Sequence, residues 1–271
     1  MKVAVYTIKG GVGKTAVLMG IGFALALLHN KKVLFVDTDM QGDLTYRLIG
    51  NAISTYSVSS NTNYGMAKFA SSPDAEFRAV QLLDNIYLVP MEYDAFLNVD
   101  QQTIMRRISD IPDKDYDIVL IDTPPSFDRN SAIELFSGID AFFSVVAPAY
   151  PSIRIINAEL RLIIPSLVKK LRNSPYFIGI IKNNLYSTNS AEMGSAILAL
   201  NEVCDTMQDV PHFKPCLFTN HVARRQSVFN YDTISYNIYT KNTKRLSTIV
   251  SSSNLDKVTE EFIYRLPKTG E

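Results

Sequence analysis

The amino-acid sequence predicts an α/β fold: a single doubly wound, mainly parallel sheet flanked by helices. Three observations lead there. Strand and helix signals alternate through the whole chain, the pattern of a sheet covered on both faces. A glycine-rich turn, Lys9-Gly10-Gly11-Val12-Gly13-Lys14-Thr15, joins the first strand to the first helix. Two later apolar strands end in carboxylates, at Asp37 and Asp122, where open α/β sheets place their ligands.

The elements follow in order. Residues 2–8 alternate Val3, Val5 and Thr7 and read as a buried strand. Residues 15–29 are almost wholly apolar and read as a helix buried on all sides. Residues 33–37 form the second strand. Residues 51–72 are rich in Ser, Asn and Thr and read as an irregular excursion with one short helix near 64–69. Further strands are expected at 85–90, 116–122, 141–147, 176–182 and 215–218. Helices are expected at 94–110, 130–136, 152–171 and 190–207, and residues 239–266 read as largely helical. No repeat and no linker divides the chain, so one domain over residues 1–271 is expected.

Composition narrows the function classes. A chain of 271 residues, 46% hydrophobic and 20% charged, can bury one large core like an ordinary globular protein. Its formal net charge is zero, so any contact with nucleic acid must come from a local patch. Cys204 and Cys216 form no Cys-x-x-Cys pair, which argues against an iron–sulfur or zinc site and suits a reducing cytoplasm. Met1 runs straight into the first strand, so no signal peptide is read. The apolar run 20–28 is too short to span a membrane.

Strand, glycine-rich turn and helix make the context of a phosphate-binding loop. The glycines let backbone N–H groups turn around an anion, and the helix start adds partial positive charge. Lys14 would reach the β- and γ-phosphates, and the Thr15 hydroxyl would hold Mg²⁺. The strand Asp117-Ile118-Val119-Leu120-Ile121-Asp122 ends in a carboxylate suited to hold Mg²⁺ through water. The guanine-reading Asn-Lys-x-Asp motif is absent from the sequence, which favours ATP over GTP.

Two departures from the usual loop are informative. Ile8 occupies the place of its first glycine, and a second lysine, Lys9, lies just inside it. Lys-Gly-Gly-Val-Gly-Lys-Thr resembles the deviant Walker A loop of the ParA/MinD family of ATPases, a class of P-loop NTPases. Asp37-Thr38-Asp39-Met40-Gln41-Gly42-Asp43 resembles the family's Asp-x-Asp-Pro-Gln-Gly segment, with Met40 in place of proline. Asp122-Thr123-Pro124-Pro125-Ser126 is similar to its switch region.

The resemblance implies a set of roles. Gly10, Gly11, Val12, Gly13, Lys14, Thr15 and Ala16 would bind the nucleotide, with Asn183 contacting adenine. Thr15, Asp37 and Asp122 would surround Mg²⁺. Asp39 would orient the attacking water, and Asp43 is a candidate γ-phosphate sensor. Lys9 would cross to the nucleotide of a second subunit, giving an ATP-bound homodimer that hydrolysis releases. Ala16 stands where the family has a second threonine.

Within the family, two functions from different classes remain open. One is a DNA-partition ATPase that binds DNA non-specifically, works with a ParB-like centromere-binding protein and sits in the cytoplasm on the nucleoid. Between His221 and Lys268 eight Lys/Arg face four acidic residues, and Arg224, Arg225, Lys244 and Arg245 are the candidate contacts. No N-terminal helix-turn-helix is read, so operator recognition is not expected. The other is a MinD-like ATPase that positions membrane or protein cargo. In the tail, Leu255, Val258, Phe262, Ile263 and Leu266 read as a packing stripe, and Glu260 and Glu261 suit no anionic-lipid anchor, so no membrane partner is expected.

Overall fold

The computed structural model describes residues 1–50, 65–92, 99–126, 128–147, 150–185, 191–205, 217–223 and 231–268. The strands are β1 (Lys2–Val5), β2 (Val33–Asp37), β3 (Val80–Leu83), β4 (Ile86–Val89), β5 (Ile118–Asp122), β6 (Ala141–Val146), β7 (Tyr176–Leu185) and β8 (Leu217–Ala223). They form one sheet in the order β3-β4-β2-β5-β1-β6-β7-β8. Every neighbouring pair is parallel except β3–β4. The chain therefore starts in the middle of the sheet, runs to one edge, returns with β5 between β1 and β2, and then builds outward on the other side. The reversal of winding falls at β1, where a doubly wound sheet opens its ligand crevice.

The helices are α1 (Lys14–Leu28), α2 (Asp43–Ile49), α3 (Met66–Ala70), α4 (Gln101–Arg106), α5 (Arg129–Ser137), α6 (Tyr150–Ala158), α7 (Ile164–Val168), α8 (Ala191–Asp205), α9 (Tyr231–Tyr239), α10 (Thr243–Ser252) and α11 (Leu255–Arg265). Because side chains alternate across a strand, β1 sends Val3 and Val5 to one face and Ala4 and Tyr6 to the other. The first face joins Phe35 and Leu120 to α1, α10 and α11 through Leu18, Ile249, Leu255 and Phe262. The second joins Leu34 and Ile121 to helices α3 to α8 through Met66, Ile104, Phe136 and Leu160.

α1 lies between the sheet and α11, and two glycines let it fit. A Cβ on Gly22 would collide with the Phe35 ring, and one on Gly20 with the Leu255 side chain. The α11 stripe Leu255, Val258 and Phe262 is fully buried, with Ile263 and Leu266 packed on its edge.

Four features differ from the sequence expectation. β3 is an antiparallel edge strand joined to β4 by the two residues Asp84 and Asn85. α2 follows β2 directly. The helix expected over 152–171 is α6 and α7 joined by a π-helical turn, Glu159–Ile163. Pro165 explains the break, because it has no N–H for the carbonyl of Arg161 and its ring crowds that carbonyl. Residues 239–266 divide into α10 and α11 at Asn254, which takes left-handed backbone at φ 62°. Residues 51–64 of the expected excursion, 94–98 of the expected 94–110 helix, 190 and 206–207 of the expected 190–207 helix and 215–216 of the expected last strand lie outside the described residues.

Candidate phosphate-binding site

The site is built at the carboxyl ends of β1, β2 and β5. Between β1 and α1 the loop turns on Gly11 at φ 74° and Gly13 at φ 89°. Such left-handed backbone strains any residue with a Cβ. α1 starts at Lys14 with neither a capping side chain nor an acidic residue in its first turn. Its first N–H groups are thus left for a ligand, and the helix end favours an anion.

Lys14 is buried, and its ammonium donates to the carbonyl of Thr7 at 3.1 Å. Burial pulls its pKa down, while the nearby carboxylates of Asp122, Glu159 and Asp39 push it up. The sheet register sets Asp37 directly beside Asp122. Threonines fasten the strand ends to one another. The Thr38 hydroxyl donates to the carbonyl of Asp122 at 2.6 Å, and the Thr123 hydroxyl to the carbonyl of Val5.

The two carboxylates have different surroundings. Asp37 Oδ2 accepts from the backbone N–H and the hydroxyl of Thr45 at 2.8 and 2.7 Å, and Oδ1 accepts from the N–H of Asp39 at 3.2 Å. Burial still raises its pKa to about 7. Asp122 has the Thr15 hydroxyl nearby, yet both of its oxygens are buried without a hydrogen-bond partner of ordinary geometry. Burial and the adjacent Asp37 hold its pKa well above the usual range.

A buried carboxylate without partners is costly, and a cation there removes the cost. Carboxylate and hydroxyl oxygens make a hard donor set that fits Mg²⁺. Among the described residues no group of three or more His, Cys, Asp or Glu could hold a metal.

A family model described as an AAA domain matches residues 1–151, more than half of the chain. The chain belongs to the ParA/MinD family of ATPases. It is 29% identical over 151 residues to the sporulation initiation inhibitor protein Soj of Bacillus subtilis (strain 168), covering 54% of this chain and 56% of Soj. The chain spans about half the length of the curated relatives it matches. Among solved structures it resembles pNOB8 ParA bound to nonspecific DNA, with a TM-score of 0.67 and 14% identity over 97% of both chains. It also resembles the ATP complex of a Cyanothece McdA variant, with a TM-score of 0.69 and 16% identity over 100% of this chain and 98% of that one. At these identities the likeness shows the fold.

In this ParA/MinD-family chain the loop residues Gly10, Gly11, Val12, Gly13, Lys14, Thr15 and Ala16 meet Asp37, Asp39 and Asp122 at one end of the sheet. Asp39 is half-buried, and its Oδ1 accepts from the N–H of Gln41 at 2.9 Å, closing the turn into α2. Lys9 is half-exposed at the loop's mouth and has no hydrogen bond or ion pair among the described residues. Asn183 reaches the loop from β7: its Nδ2 donates to the carbonyl of Val12 at 2.8 Å and fills the space a Cβ on Gly13 would need.

Lys244 and Arg245 are exposed in the first turn of α10, which packs on α1, far along the chain from the loop. Arg224 and Arg225 lie outside the described residues. Arg265, one of the eight basic residues, is engaged within the fold. Its guanidinium donates to the carbonyls of Ile178 and Leu217, pairs with Glu261 and lies over the Phe218 ring.

Sequence reasoning missed two residues at the site. Thr45 carries no motif and is recognised only once α2 folds back under β2. Glu159 had a signal, a single acid within the apolar run 153–164, and it turns out to accept the N–H of Ile8.

Proposed function

We propose that the chain is a dimerising ATP switch that binds DNA without sequence preference when ATP-bound and serves plasmid or chromosome partition. The disposition of the two loop lysines carries this reading. Lys14 is buried and serves its own loop, whereas Lys9 stands half-exposed without a partner among the described residues. A phosphate loop that already holds its lysine has no local use for a second cation. A cation at the mouth suits the phosphates of a second subunit, supplying in trans the charge that slow P-loop enzymes otherwise lack.

In this reading residues 1–271 work as one ATPase unit. Thr15 and Asp122 hold Mg²⁺, and Asp37 supports them from its bonds to Thr45 and Asp39. The ion, when bound, neutralises charge developing on the phosphates. Asp39 positions the attacking water, and Asn183 lies between the loop and the adenine. Hydrolysis is slow, is raised by a ParB-like centromere-binding partner, and ends the dimeric state. The dimer acts in the cytoplasm, on the nucleoid.

The DNA contact is assigned to Lys244 and Arg245, with Arg224 and Arg225. Two basic side chains in the first turn of α10 oppose the helix dipole, a penalty of about 0.3–1 kcal/mol each. A phosphate bound there reverses that penalty. A solved ParA of similar fold is bound to nonspecific DNA, which supports DNA as the partner in this reading. A MinD-like tail anchor is disfavoured, because the apolar stripe of α11 is spent on the core.

The test is binding to random-sequence duplex DNA with ADP and with a non-hydrolysable ATP analogue across a salt series. Tight, salt-sensitive binding only with the analogue, weakened by Lys244→Glu with Arg245→Glu, is the expected result. No binding in either nucleotide state at low salt, with the dimer present, would sink the partition reading.

A further inference from the structure

We propose that Glu159 is a positioning residue of the phosphate loop: its carboxyl holds the backbone N–H of Ile8 and so fixes the peptide that presents Lys9. This rests on the reading of that loop as a nucleotide site and adds a residue that none of its motifs contains.

The carboxyl reaches across 151 positions of sequence. Glu159 is completely buried, and Oε2 accepts from the N–H of Ile8 at 3.2 Å. β1 ends at Val5, and Tyr6 still donates its N–H to the carbonyl of Phe143 at 2.8 Å. At Ile8 the chain has left the sheet, so the carboxyl takes the place of the next strand as acceptor. The following residue is Lys9, and the first glycine of the loop comes after it.

An ordinary buried hydrogen bond does not account for the whole arrangement. Satisfying one N–H does not require a carboxyl, and the second oxygen, Oε1, is buried with no partner. Burial accordingly pushes the Glu159 pKa up to about 8, against the pull of Lys14. Neutral or ionised, the group keeps an acceptor on Ile8, and it lies within electrostatic reach of the loop's own lysine.

Its setting is also particular. Glu159 is the first residue of the π-helical turn between α6 and α7. A π turn widens a helix and re-aims its side chains, and such turns recur at functional sites. The break at Pro165 and the acid that reaches the loop therefore belong to one local device. The element after β6 is thereby tied to the element after β1.

Two variants separate positioning from simple core filling. Glu159→Gln keeps an acceptor oxygen for Ile8 and carries no charge, whereas Glu159→Leu fills similar volume without an acceptor. The first measurement is native-state amide hydrogen exchange at Ile8 and Lys9 by NMR without nucleotide. The second is the affinity of a fluorescent non-hydrolysable ATP analogue. In Glu159→Leu, exchange at Ile8 is expected to accelerate about tenfold or more while core amides of β5 and β6 stay protected. Analogue affinity should fall by about tenfold as the loop loses register. Glu159→Gln should restore both to within a few-fold of wild type. Wild-type exchange and affinity in Glu159→Leu would overturn the proposal, and so would a Gln variant as impaired as the Leu variant. Failure of the wild-type protein to bind the analogue would instead overturn the ATP reading, while the exchange measurement still decides the role of Glu159.

Discussion

Asp122 and Asn183 show how far single residues could be read from the chain. Asp122 stood out because it ends an apolar strand, and in the fold both of its oxygens are buried without a hydrogen-bond partner of ordinary geometry. Asn183 was legible only as a position after a strand, and its bond to the carbonyl of Val12 comes from a register that no local pattern encodes. The loop glycine it faces gives a sharp test. Gly13→Ala places a Cβ against the Asn183 amide on backbone at φ 89°. The left-handed backbone alone costs about 1–2 kcal/mol. Affinity for an ATP analogue should fall by at least about tenfold, equivalent to about 1.4 kcal/mol. Folding stability should fall with it, and adding Asn183→Ala should recover part of that stability, which urea unfolding would measure. Full recovery would mean that the backbone conformation at Gly13 carries no strain.

Buried acids also set the pH response. In the folded chain Asp37 rises from 3.8 to about 7 and Glu159 from 4.5 to about 8. The native state therefore keeps protons that the unfolded chain releases, so stability falls as pH rises. Their contribution is complete below about pH 4 and is lost as pH climbs through about 7 and 8. Thermal melts of the nucleotide-free protein between about pH 5 and 9 should show this decline. Glu159→Gln should flatten its upper part, and an unchanged slope would mean that Glu159 does not titrate there.

At the scale of elements, periodicity found the buried strands and missed what packing defines. β3 has only four residues, too few for a clear alternation. Asp84-Asn85 between two apolar runs was the available hairpin signal. The π turn was hidden because residues 152–171 keep helical spacing on both sides of Pro165, and only the break re-aims Glu159. α11 was read correctly as a packing stripe, yet its partner could not be read. That partner is the loop helix α1, through Gly20 and Leu255. Gly20→Ala should destabilise the fold by about 1–3 kcal/mol through overpacking. Leu255→Ala in the same chain should relieve much of the cost although each change alone destabilises. A double-mutant cycle by urea unfolding checks this, and simple additivity would mean that the two side chains do not meet.

For the whole molecule, the decisive property is what a half-exposed Lys9 does in company. Lys9→Ala should leave analogue binding within about threefold of wild type, because Lys14 and the helix start remain. It should abolish the ATP-dependent dimer seen by sedimentation, and with it ATP-dependent DNA binding. A Lys9→Ala protein that still dimerises with ATP would refute the trans role. By itself, the sequence determined the α/β alternation, the glycine turn between the first strand and first helix, the acids at two strand ends and the family, because each rests on local chemistry: glycines where backbone must turn left-handed, acids where strands end, apolar runs where a sheet is buried twice. Tertiary structure alone decided that Asp37 lies beside Asp122, that Arg265 serves the fold while Lys244 and Arg245 stand free of ion pairs among the described residues, and that Glu159 meets Ile8. Those facts depend on strand order and register between segments tens to more than a hundred residues apart. The free energy that fixes them comes from burying both faces of one sheet at once, and no local stretch of sequence records how the faces are shared.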